Sequence, residues 1–198
     1  MKDAIQTDLR SALAVHSQMA GDASLHRSLA ELAQWCVEAI GKGGKILFAG
    51  NGGSFADAQH LAAEFVSRLQ FDRAPLPAIA LATNSSSMSA IGNDYGYDQV
   101  FARELRALAN PQDVFIPLST SGNSANILAA VAVAREISVR TVGFTGEHGG
   151  KLSLACPCLK VPSSRTERIQ EGHILLGHVL CASVETACFG GGQRKHAI

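Results

Sequence analysis

The sequence predicts an α/β protein built on a doubly wound, parallel sheet, and three observations carry that expectation. Short apolar runs alternate with segments of helical periodicity along the chain. The runs are continuously apolar, as strands buried on both faces require, rather than alternating apolar with polar. Glycine- and serine-rich turns after two of them open directly into the next helix, which is the grammar of βαβ units.

Taken in order, apolar residues at helical spacing, among them Leu9, Leu13, Leu25, Leu29, Leu32, Trp35, Val37 and Ile40, predict helices over 3–20 and 24–40. Gly41, Gly43 and Gly44 stop the second helix, and Lys45-Ile46-Leu47-Phe48-Ala49 follows as a buried strand. Further strands are expected at 78–81, 114–118, 141–144 and 158–161, with helices at 54–69, 98–109 and 123–137 between them. The segment 166–189, rich in Ile, Leu and Val, reads as one long and largely buried helix. No linker, repeat or low-complexity tract divides the chain. It is therefore read as one domain over 1–198, with N-terminal helices (1–42), an α/β core and terminal helix (43–189) and a tail (190–198).

Composition narrows the function. The chain has 198 residues, 46% of them hydrophobic and 17% charged, which is the profile of a folded globular protein. Lys plus Arg and Asp plus Glu are equal at 17 each, so no overall positive field exists to hold nucleic acid or an anionic membrane, and an anionic ligand must be held locally. Five cysteines, Cys36, Cys156, Cys158, Cys181 and Cys188, are odd in number and sit in mostly apolar surroundings, as reduced thiols in the cytosol do. Met1-Lys2-Asp3-Ala4 opens no apolar signal core, and no apolar run approaches a membrane span, so a cytoplasmic protein is expected.

Ser119-Thr120-Ser121-Gly122-Asn123-Ser124 follows a strand and opens a helix. Hydroxyls and backbone N–H groups at a helix N-terminus meet the positive end of its dipole, which suits phosphate without any lysine. A turn capped by Ser124 alone explains two of these residues but not all four. Gly50-Asn51-Gly52-Gly53-Ser54 is a second strand-to-helix turn, equally consistent with tight geometry and with ligand contact. It has neither the P-loop lysine nor the dinucleotide spacing. On the next helix His60 and Glu64 are four apart and share a face, a spacing that serves a divalent metal, acid–base chemistry or a plain ion pair. Gln170 and His178 lie eight apart on the terminal helix, with His173 off their stripe. Ile91-Gly92-Asn93-Asp94-Tyr95-Gly96-Tyr97 reads as a turn, and Cys156-Pro157-Cys158 as buried thiols beside a strand.

Together Gly50 to Ser54, Gln59-His60, Glu64, Gly92 to Gly96, Ser119 to Ser124 and Arg168-Ile169-Gln170-Glu171-Gly172-His173 resemble the phosphoheptose isomerase branch of the sugar isomerase (SIS) domain superfamily across nearly the whole chain. The resemblance implies a three-layer, five-stranded flavodoxin-like sheet and a cytoplasmic homotetramer with active sites at subunit interfaces. It implies conversion of D-sedoheptulose 7-phosphate to D-glycero-D-manno-heptose 7-phosphate, the first step toward the heptose of lipopolysaccharide. Carried over, Glu64 and His178 are the acid/base pair, and His60, Glu64, Gln170 and His178 are ligands for one zinc ion per subunit. Asn51, Gly52, Gly53, Glu64, Asn93, Asp94, Ser119, Thr120, Ser121, Ser124 and Gln170 contact the sugar phosphate. The alternative on the same fold is a non-catalytic sugar-phosphate-binding protein, or one associated with the replication initiator. Glu64 beside His60, with His178 available, favours the enzyme.

Overall fold

The computed structural model describes residues 1–190, so the expected tail lies outside the described residues beyond Gly190. Two helices come first, α1 (Lys2–Gly21) and α2 (Ala23–Gly41). Asp22 separates them because its carboxylate accepts from Ser24 N (2.8 Å) and Leu25 N (3.1 Å), capping α2. Then follow β1 (Ile46–Ala49), α3 (Gly53–Val66), β2 (Ala78–Ala80), α4 (Ser85–Tyr95), a 3-10 turn, α5 (Val100–Leu108), β3 (Val114–Pro117) and α6 (Ala125–Glu136). The chain closes with β4 (Arg140–Thr141), β5 (Gly143–Gly146), α7 (Leu152–Ala155), β6 (Cys158–Val161) and α8 (Thr166–Phe189).

All strand pairs are parallel. One ladder runs β2-β1-β3-β4 and a second pairs β5 with β6. The expected fourth strand is therefore interrupted at Val142, and a bridge from Leu118 to Phe144 carries the sheet across the break. Counting that interrupted strand once, the five expected strands are present in the order of a doubly wound sheet. Chain order reverses between β1 and β3, so the turns that follow these neighbouring strands open at one edge. Asp113, fully buried at the start of β3, accepts from Lys45 N (2.9 Å) and Lys45 Nζ (2.7 Å) and so aligns the beginnings of the two strands.

Each sheet face carries its own core. Phe48, Leu61, Phe65, Ile116, Phe144 and Leu180 pack between the sheet and α2, α3 and α8. Leu47, Phe101, Leu105, Phe115, Ile127 and Val131 pack between the sheet and α5 and α6. This is the three-layer arrangement expected.

Three readings need correction. Residues 91–95 of the turn expected at 91–97 instead end a helix, α4, for whose start no element was expected: Asn84 caps it by accepting from Ser86 N (3.1 Å) and Ser87 N (3.2 Å), and none of its residues is buried. With no apolar face to bury, this helix leaves little periodicity to read. The helix expected from 98 begins at Val100, after the 3-10 turn Tyr97–Gln99. Finally, α8 is long and apolar enough to cross a bilayer by length and composition. Here its apolar side packs instead on α2, α3 and the β5 end of the sheet. The five cysteines are free thiols.

His173, in the middle of α8, is fully buried against Phe144, and neither ring nitrogen has a side-chain or backbone partner at normal geometry. Burial pushes its pKa down to about 4, with the Thr145 backbone opposing weakly. Because the folded pKa lies below the unfolded value, the neutral ring contributes fully above pH 6.5. Stability is then lost as pH falls toward 4, at up to about 1.4 kcal/mol per pH unit from this one group. His173→Leu is expected to shrink the fall in Tm between pH 7.5 and pH 5. An unchanged fall, followed by circular dichroism, would assign the acid sensitivity to another group.

Candidate active site

Two helix-opening turns meet at the carboxyl edge of β1 and β3. After β1 the chain turns at Gly52, whose φ of +57° suits glycine, and Gly53 then starts α3. A Cβ at Gly53 would sit 2.5 Å from Gln170 Nε2, so the amide of Gln170 occupies the space that a side chain would take. Asn51 is bound in a reciprocal pair with the buried Asn126 at the start of α6: each amide nitrogen donates to the other's oxygen at 2.9 Å. Tyr97 Oη also donates to Asn51 Oδ1 (3.2 Å). Asn51, expected at the sugar, is thus placed between the two turns, with both side-chain polar atoms engaged.

The second turn is Ser119 to Ser124. Gly122 has φ +65°, and a Cβ there would collide with the carbonyl of Gly149, so only glycine lets the two loops approach. Ser124 occupies the N-cap position of α6 but makes no side-chain cap bond. Its Oγ lies 3.0 Å from Ser119 Oγ, which leaves the first amides of α6 open to an anion. Ser121 Oγ accepts from Asn123 N (3.1 Å), while Asn123 Oδ1 accepts from Lys151 N (3.1 Å) and holds the neighbouring loop. Ser119 is buried, Thr120 and Ser124 are half-buried and Ser121 is exposed, so hydroxyls line the turn from its floor to its rim.

Along the seam of α3 and α8 three side chains converge. His60 Nε2 lies 2.7 Å from His178 Nε2 and 3.3 Å from Glu64 Oε1, and the three ligand atoms fall within 4.8 Å of one another. Two imidazole nitrogens this close demand that one carry a hydrogen toward the other's lone pair, or that both face one cation. Two histidines and a carboxylate are also the donor set of an open, three-ligand zinc site, so the residues present fit the implied metal. Gln170, expected as the fourth ligand, lies on the same helix as His178 and has its amide beside Gly53 at the start of α3. His60 is 47% exposed and Glu64 18%, so the cluster opens to the surface.

Asn93 and Asp94 lie exposed at the end of α4, where Asn93 Nδ2 donates to Asp94 Oδ1 (2.8 Å). Among the described residues no hydrogen bond brings either into the triad or the serine loop. One further titratable residue lies near His60. Asp57, one turn before His60 on α3, has a buried, unpartnered carboxylate oxygen. Burial pushes its pKa up to about 6, with His60 pulling the other way. The spacing of Asp57, His60 and Glu64 at i, i+3 and i+7 was the available signal.

The SIS domain family matches residues 11–146. The phosphoheptose isomerase of Aneurinibacillus thermoaerophilus is 49% identical over 190 residues, covering 96% of each chain. Among solved structures, a phosphoheptose isomerase from Neisseria gonorrhoeae superposes with a TM-score of 0.86 at 38% identity, covering 93% of this chain and 98% of that one. One from Francisella tularensis gives 0.88 at 35% identity, covering 93% and 97%.

The serine loop generates a direct test. Ser121→Ala with Ser124→Ala removes two hydroxyls whose protein hydrogen bonds stay within this one loop, so binding of inorganic phosphate, read by calorimetry, is expected to weaken about tenfold with a much smaller effect on Tm. Unaltered phosphate binding would remove the assignment of this loop.

Proposed function

This chain belongs to the phosphoheptose isomerases of the SIS domain family, and we propose that it converts D-sedoheptulose 7-phosphate to D-glycero-D-manno-heptose 7-phosphate. The observation that carries this reading is the meeting of Glu64, His60 and His178 on the seam of α3 and α8, with α3 itself starting beside a hydroxyl-lined helix N-terminus. The serine loop would hold the phosphate at one end of the sugar and present the carbonyl end to the triad. Glu64 would then take a proton from C1 of the ketose and return it to C2 of the resulting enediol. His178 would move a proton from the oxygen on C1 to the oxygen on C2, which completes the aldose without any net loss or gain. His60, Glu64 and His178 would hold a zinc ion, which would supply positive charge beside the sugar oxygens. Gln170, beside Gly53, would supply the fourth ligand and also meet the substrate.

The same reading makes the protein cytoplasmic, in keeping with five free thiols, and places the reaction first in the route to lipopolysaccharide heptose. It also makes the active form a homotetramer whose neighbouring subunits wall the exposed triad. Ile5, Leu9 and Leu13 support this, forming an apolar stripe on α1 that one protomer leaves open, with Leu9 67% exposed, alongside Leu175 and Val179 on α8. Light scattering at micromolar concentration is expected to give four times the protomer mass, and a monomer would contradict the assembly.

For the chemistry, incubation with sedoheptulose 7-phosphate is expected to yield the aldose by NMR. Glu64→Gln keeps the side-chain shape but removes the basic carboxylate, so turnover should fall by about 10²–10⁴-fold while the substrate still raises Tm. If Glu64 acts chiefly as a ligand, zinc content falls as well and added zinc restores part of the rate. Near-normal turnover in Glu64→Gln without added metal would overturn both roles.

A further inference from the structure

Behind the triad, the seam of α3 and α8 is closed by one charged pair. Arg73, in the loop after α3, and Glu185, near the end of α8, have side chains only 2% and 1% exposed, and Arg73 Nε donates to Glu185 Oε1 at 2.9 Å. Both groups spend their remaining capacity on backbone. Arg73 Nη2 donates to the carbonyl of Glu64 (2.8 Å), and Nη1 donates to those of Phe65 (2.7 Å), Ser67 (3.2 Å) and Ala74 (3.0 Å). Glu185 accepts from Leu69 N (3.0 Å) and Gln70 N (2.8 Å). The guanidinium therefore caps the free carbonyls at the very end of α3 that carries Glu64, and the carboxylate ties the loop that follows to α8.

Glu185 stands seven residues after His178, two turns along the same face of α8. The two helices touch again at Gly177, where a Cβ would collide with Leu61, and at His60 against His178. Contacts that are only apolar allow a helix to slide or rotate by small steps, whereas a fork of directional bonds does not. A buried ion pair is moreover a poor device for stability alone, since well-packed apolar residues often serve as well.

We infer that Arg73 and Glu185 are positioning residues: their buried pair sets the register of α3 against α8 and so the distance from Glu64 and His60 to His178. The inference rests on the triad being the reactive centre, and it touches no substrate atom.

The experiment compares wild type, Arg73→Lys and Glu185→Gln at a temperature well below each Tm. Lysine keeps the charge but loses the fork; glutamine keeps the shape but sets an amide against backbone N–H donors. Zinc affinity, measured by chelator competition, is expected to fall about 10–100-fold, with kcat falling in step and KM for sedoheptulose 7-phosphate held within about threefold. In metal-free protein the NMR cross-peak between the His60 and His178 rings should weaken or vanish. If a single variant does not fold, Arg73→Met with Glu185→Leu, which leaves no buried charge unpaired, takes its place with the same expectation. Folded variants that keep wild-type zinc affinity and the ring cross-peak would overturn the inference, leaving the pair a stabilising contact only. A wild type that does not turn over sedoheptulose 7-phosphate would instead sink the isomerase reading, since the ring cross-peak reports the register without any turnover.

Discussion

The reciprocal amide pair of Asn51 and Asn126 is the contact on which the rest of the candidate site depends. Parallel pairing of β1 with β3 brings two helix-opening turns to one edge, but pairing alone leaves loops free to differ in height and tilt. Two hydrogen bonds of 2.9 Å between buried or half-buried amides remove that freedom. Each amide satisfies the other's donor and acceptor, so neither is left with an unpaired polar atom in a poorly solvated place. The serine loop and the start of α3 then behave as one rigid rim. From that rim α3 carries His60 and Glu64 away from the phosphate end at a fixed pitch, and separation between binding and reaction becomes a property of helix geometry.

The second requirement is that α8 lie beside α3. Glycine makes this possible at two levels: Gly53 admits the Gln170 amide, and Gly177 admits Leu61. Small residues at such crossings let helix axes approach until polar side chains on their rims can meet, which is how His60 comes to face His178. The ring of His173 lies deeper in the same helix, neutral and buried on Phe144, so α8 carries an imidazole of each kind within five residues. One is exposed enough to exchange protons with a substrate, and the other is held in its uncharged form by burial. Helical spacing separates the two stripes, and burial decides which imidazole stays neutral.

What was legible in the sequence was whatever leaves a local period. The βαβ alternation, the long terminal helix, the serine turn and the His60, Glu64 pair all express themselves within a few residues of one another. The missed features depend on contacts across the chain or on the lack of a buried face. α4 buries nothing and is set by the Asn84 cap, so its start left no helical period to read and its end, from 91, read as a turn. The break at Val142 arises where the fourth strand passes from β3 to β6 as its partner, a matter of pairing rather than composition. Asn126 looked like an ordinary helix residue, and Arg73 finds Glu185 only across 112 residues. Asp57 did share a face with His60, but its meaning comes from burial, which one sequence does not display.

The contact between His60 and His178 joins residues 118 positions apart, and α8 is the last element of the described chain. During synthesis, the sheet and its first seven helices can assemble before α8 leaves the ribosome, yet the reactive cluster is then only half present. Loop closure over so long a segment is also among the slower steps of folding. Activity therefore works as an end-of-line inspection: until α8 docks, the cluster lacks His178 and one face of the sheet lacks part of its cover, so an incomplete chain has no means of transforming a substrate.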